Sequence, residues 1–95
     1  MRIIIKEKFK SDYITRAAGE KLRQMICQVP GPVVLDFQGI KVASSSFFDE
    51  GIAKLPLEGL KENWIRQNLH FDNLDKWDAV LLQKVCLARG LKLFD

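Results

Sequence analysis

Cysteine is scarce: the 95 residues hold only Cys27 and Cys86, with no Cys-x-x-Cys spacing and no histidine beside either. That excludes a disulfide framework, a zinc site and a dithiol redox pair, and both read as small core hydrophobes. There is a single histidine, His70, and no serine sits in a Gly-x-Ser-x-Gly elbow. A serine nucleophile would lack its base, so no catalytic residue is assigned and an enzyme is not expected. His70, beside Phe71, reads as a surface or half-buried packing residue. The acids Asp36, Asp49 and Glu50 are too scattered to read as ligands for a hard cation, and neither metal nor cofactor is expected. Long apolar runs are missing as well. Three consecutive isoleucines before Lys6 are too few for a secretory leader, and nothing approaches the roughly 18 apolar residues of a membrane span. A cytoplasmic protein without membrane contact is the expectation.

What is present belongs to a folded domain. Apolar residues make up 47% and charged residues 28% of the chain, a globular balance rather than a disordered one. A chain of this length buries only about 60 to 65% of its unfolded surface, so residues 1–95 read as one domain without room for a large cleft. The net charge of +3 is uneven: Arg2, Lys6, Lys8, Lys10, Arg16, Lys21 and Arg23 face only Glu7, Asp12 and Glu20 in the first 28 residues. Such a basic end attracts phosphates or acidic surfaces, although most basic faces are simply solvated.

Arg2 to Phe9 is isoleucine-rich without helical period and reads as a first strand. Ser11, Asp12 and Thr15 offer caps for a helix whose apolar face is Ile14, Ala18, Leu22, Met25, Ile26 and Val29, ended by Pro30-Gly31-Pro32. Val33 to Phe37 is apolar on both faces, as a central strand covered on each side would be, with a turn at Gln38-Gly39. Ser46 and Asp49 have capping-box spacing ahead of Phe48, Ile52 and Leu55, so a short helix is expected from Ser46 until Pro56 and Gly59. Ile65, Leu69 and Phe71 fit one face of a third strand. Asp72 or Asn73 would cap a last helix with a stripe of Leu74, Trp77, Leu81, Val85 and Ala88, widened by Leu82 and Cys86, up to Gly90. The tail from Leu91 to Asp95 either adds a little strand or packs on that helix.

The segment VVLDFQGIKVASSSFFDEGIAKL resembles the central part of STAS domains, the fold of bacterial anti-sigma factor antagonists. It is most similar to a STAS-like family of unassigned function, in which an Asp-Phe pair and a small loop precede serines, phenylalanine and acids. Thr15-Arg16 ahead of the first helix also fits that family. The resemblance implies an α/β fold of order βαβαβα, with a mixed sheet of three to four strands packed by helices. It further implies a regulatory binding role, in which the domain docks a histidine-kinase-like ATPase and is switched off when that ATPase phosphorylates a serine at the start of the second helix. Alignment on Leu35-Asp36-Phe37 puts Ser45 at that serine. The antagonists usually read Asp-Ser-Ser-Gly where this chain reads Ser44-Ser45-Ser46-Phe47.

The plainest role for the run is capping, which Ser46 alone can supply for about 1 kcal/mol, leaving Ser44 and Ser45 as loop residues. The sharper one is a phosphate at Ser45, whose charge of about −1.5 to −2 would lie beside Asp49 and Glu50 and repel a docking partner. The expected docking edge is Ser44, Ser45, Ser46, Phe47, Asp49 and Glu50, with Phe47 as an anchor if exposed. Asp36 reads as a structural acceptor for loop amides or for Arg16. A nucleic-acid module using Lys6, Lys8, Lys10 and Arg16 with Phe9 and Tyr13 is the lesser alternative, since Trp64, Trp77 and the other phenylalanines fall on core stripes. Self-association through an open sheet edge or the last helix could accompany either role.

Overall fold

Ile3 and Ile4 belong to a strand, β1 (Arg2–Ile4), that lasts only three residues in the computed structural model, which describes residues 1–95. Its partner β2 (Val33–Asp36) ends opposite Ile4. Ile5 therefore has no neighbour to pair with, and Ile5–Phe9 turn into a short helix, α1, instead of prolonging the strand to Phe9 as expected. The chain then forms α2 (Arg16–Cys27), β2, and α3 (Ser45–Phe48), which passes directly into a π-helical turn, Asp49–Ala53. A 3-10 turn (Leu55–Glu58), α4 (Glu62–Asn68), β3 (Leu69–Asp72) and α5 (Lys76–Leu87) complete it.

The sheet has the order β1-β2-β3 and both pairings are parallel, not mixed, and no fourth strand is added. Parallel strands place Ile3, Leu35 and Phe71 in one row, with Val33 and Leu69 on the same face. That face joins Leu22 and Ile26 of α2, Phe47 and Phe48 of α3, Ile52, Ile65 and Leu82 in one continuous core. The opposite face carries Arg2, Ile4, Val34, Asp36, His70 and Asp72, and of these only Asp36 is buried. β2 is thus central but covered on one side only. On the open side Asp36 accepts bonds from Arg2 at 2.9 Å, the Gln38 amide at 2.9 Å and the Asn73 amide group at 3.0 Å. Those bonds hold its carboxyl below the ordinary carboxylate range, Asn73 and Gln38 contributing most. Asp36 is the structural acceptor expected, but its cation is Arg2 rather than Arg16.

Thr15 caps α2, accepting the Ala18 amide at 3.1 Å. Gly19 and Gly51 let α2 and the π turn approach closely: a Cβ on Gly19 would lie 2.8 Å from both the Phe47 carbonyl and the Glu50 Cβ. The last helix departs from expectation. Asp75 is its cap, taking the Trp77 amide at 3.0 Å and the Asp78 amide at 3.3 Å, in place of Asp72 or Asn73. Its buried face is Asp78, Leu82 and Cys86, with Leu81 and Val85 half-buried, while Trp77 is 69% exposed. Ile65 lies in α4, not in β3, and Cys27 is exposed, so only Cys86 is a core hydrophobe. Leu91 and Leu93 are buried without strand structure, so the tail packs, with Gln83 bonding both the carbonyl and the amide of Phe94. No helix is long and apolar enough to cross a membrane.

Candidate functional site

The three serines have three different fates. Ser44, not Ser46, caps α3: its oxygen accepts the Phe47 amide at 3.3 Å and its hydroxyl donates to the Ile14 carbonyl, fastening the approach to α2 onto the start of α3. Ser46 is half-buried. Ser45, the first residue of α3, is exposed. It stands on the rim of a hollow of about 380 Å³ lined also by Arg16, Asp49, Val85, Ala88 and Arg89.

Behind that rim lies an ion cluster. Asp49 accepts from Arg16 at 3.0 Å and from both Nε and Nη2 of Arg89. Glu50 accepts from Arg16 and Arg23 at 3.0 Å and from Lys54, one helical turn on. The hydrogen bond from Arg89, then that from Arg16, outweighs partial desolvation and holds the Asp49 carboxyl at about 2. Lys54 and Arg23, with Arg16 behind them, do the same for Glu50, also at about 2. Both acids stay ionised across the physiological range, and the guanidinium groups of Arg16 and Arg89 are held above their usual value by the same contacts. Beneath them the buried Cys86 thiol is pushed up to about 12, by burial first and by Asp49 second, which keeps it neutral and unreactive.

The structure therefore brings Arg16, Ser45, Asp49 and Glu50 together and removes Phe47 from the expected docking edge. Phe47 is fully buried and meets Phe9 edge-on, ring centroids 5.8 Å apart, so it serves the core and cannot anchor a partner. A bulky aromatic after the serines is tolerated because it points inward. The Ser46–Asp49 capping box does not form, since Asp49 is taken by Arg16 and Arg89. Phe9 and Tyr13, the aromatics a base-stacking surface would need, pack against the core, while Lys6, Lys8 and Lys10 are solvated. His70 is exposed. No three His, Cys, Asp or Glu side chains converge as a metal site would require.

Four participants were not anticipated: Arg23, Lys54, Arg89 and Asp78. Lys54 carries a readable signal, the i,i+4 spacing from Glu50. Arg89 is 40 positions from Asp49, and no local pattern announces that pairing. Asp78 is a buried acid on the core side of α5 that accepts the Val42 amide at 2.6 Å and the Ala43 amide at 2.8 Å, positioning the loop that delivers the serines.

Residues 18–79 match the family model described as a STAS-like domain of unknown function (DUF4325), about two thirds of the sequence. The chain belongs to that STAS-like family. No curated protein and no solved structure matches it. The matched span of this STAS-like domain runs from α2 to the first turn of α5 and includes Ser44 to Glu50 and Asp78; Arg16 and Arg89 lie outside it.

Proposed function

We propose that this STAS-like chain is a non-enzymatic regulatory domain that docks a histidine-kinase-like ATPase through the first turn of α3 and is switched by phosphorylation of Ser45. The observation that carries the reading is the exposure of Ser45 alone among the three serines, at the rim of a hollow bordered by two arginines. Ser45 also occupies the position that the resemblance to anti-sigma factor antagonists assigns to the modified serine. With Phe47 withdrawn into the core, the apolar contact area comes from α5, whose Trp77, Val80 and Leu87 are 69%, 59% and 50% exposed. Trp77 and Ala88 lie about three turns apart on one side of that helix, and Ala88 lines the hollow. Exposed tryptophan is the residue type that most often dominates binding energy. A switch that consumes ATP operates inside the cell, which places the domain in the cytoplasm.

The test uses the purified chain and a purified histidine-kinase-like ATPase from the same organism, with ATP. Phosphate should appear on Ser45 and on no residue of the Ser45→Ala variant. Ser45→Asp and Trp77→Ala should each weaken the complex by tenfold or more in a titration. Undiminished affinity in both variants would rule out this surface as the docking site.

A further inference from the structure

From its sequence neighbours alone, a phosphate on Ser45 would be repelled by Asp49 and Glu50. The folded structure reverses the sign. Those two acids are met by four cations, Arg16, Arg23, Lys54 and Arg89, so the cluster carries two positive charges in excess. Arg23 and Lys54 lie on the Glu50 side and are largely covered, at 15% and 26% exposure. Arg16 and Arg89 are the more open pair, at 56% and 38%, and they are the two that line the hollow with Ser45. A phosphoryl group offers three acceptor oxygens and about −1.5 to −2 charges against the single charge of a carboxylate, and guanidinium groups bind both in forked geometry.

We propose that a phosphoserine at position 45 is captured within the same molecule by Arg16 and Arg89, which keep Asp49 on one side of the guanidinium groups, bind the phosphate on the other, and so close the hollow between α2, α3 and α5. The inference rests on the reading of Ser45 as the modified serine. The modification itself forms the bond from Ser45 Oγ to the γ-phosphorus of a nucleoside triphosphate and breaks the bond to the bridging oxygen. The nucleoside diphosphate leaves, and the hydroxyl proton passes to a base of the kinase. Capture brings the cluster from an excess of two positive charges to near neutrality. The modified state is then an internally satisfied one: it takes the arginines and the cavity away from a partner together.

The experiment needs no partner. Phosphoserine is introduced at position 45 of the full chain by genetic encoding, and its phosphorus resonance is followed against pH. Free phosphoserine loses its second proton near pH 6. Captured, it should do so lower by about one pH unit, a tenfold shift in the proton equilibrium. Arg89→Gln should return the midpoint toward 6, and Arg16→Gln should do the same, whereas Lys8→Gln should leave it lowered. The phosphorylated chain should also melt at a higher temperature than the unmodified one, and Arg89→Gln should remove the difference. A midpoint at or above 6 that ignores both arginines would overturn the capture, whatever the ATPase does. Failure of the ATPase to bind or modify the chain would instead overturn the functional reading and leave the titration result standing.

Discussion

Ala43 has a backbone φ of +48°, in the left-handed region that a non-glycine residue enters at a cost of roughly 1–2 kcal/mol. Asp78, itself 3% exposed, holds it there through the Val42 and Ala43 amides, and Ser44 follows directly as the cap of α3. Replacing Asp78 by alanine leaves the buried Val42 amide and the part-buried Ala43 amide without an acceptor, about 1–3 kcal/mol for the buried group and less for the more open one. Asp78→Ala should therefore lower unfolding free energy by about 1–4 kcal/mol in a denaturant titration. The Val42 and Ala43 amides should also lose their hydrogen-exchange protection in native conditions, and a loss below about 0.5 kcal/mol would contradict this account. A carboxylate inside an apolar period reads as a surface residue, because the amides that donate to it lie 35 and 36 positions away. For that reason Trp77, a better match to a core stripe, was expected inside and lies outside.

Where α2, α3 and α5 meet, the Gly19–Gly51 approach and the Asp49–Glu50 cluster do complementary work. The glycines set the distance, and the ion pairs fix which side chains face each other across it. Asp49 and Glu50 hold their protons only below about 2, against 3.8 and 4.5 ordinarily, so the folded chain binds fewer protons than the unfolded one in the acid range. Stability from the cluster is therefore complete above about pH 5 and is lost as pH falls from there through about 2. Melting temperature should drop across that window, and the drop should be shallower in the Asp49→Asn, Glu50→Gln double variant than in the parent. Equal slopes would show that the cluster contributes nothing to stability. The helical period of α2 and the apolar β2 were both readable, since each rests on neighbours within a few positions. Neither α4 nor the early end of β1 was, because they depend on how far β2 extends and on what β3 can pair with.

A parallel sheet covered on one face leaves a domain of this size with few reserves. Total stability of such domains is about 5–15 kcal/mol, so any segment that buries two large side chains matters globally. The tail does so: Leu91 and Leu93 are 1% and 7% exposed, and Phe94 meets Phe71 of β3 edge-on at 5.6 Å. Arg66 reaches from α4 to Asp95 and to the Lys92 carbonyl, and Gln83 holds Phe94 from α5. The last five residues thus tie α4, β3 and α5 together without forming an element of their own, which is why their sequence pattern fits a strand and simple packing equally well. Burying a leucine is worth about 1.5–3 kcal/mol, so deleting residues 91–95 removes about 3–6 kcal/mol from the two leucines. The shortened chain should unfold at a much lower denaturant concentration, or lack a cooperative transition at 37 °C. A midpoint close to that of the intact chain would mean that the core closes without the tail. The loss should appear equally in probes on β1, at the far edge of the sheet, because a single continuous core unfolds as one unit.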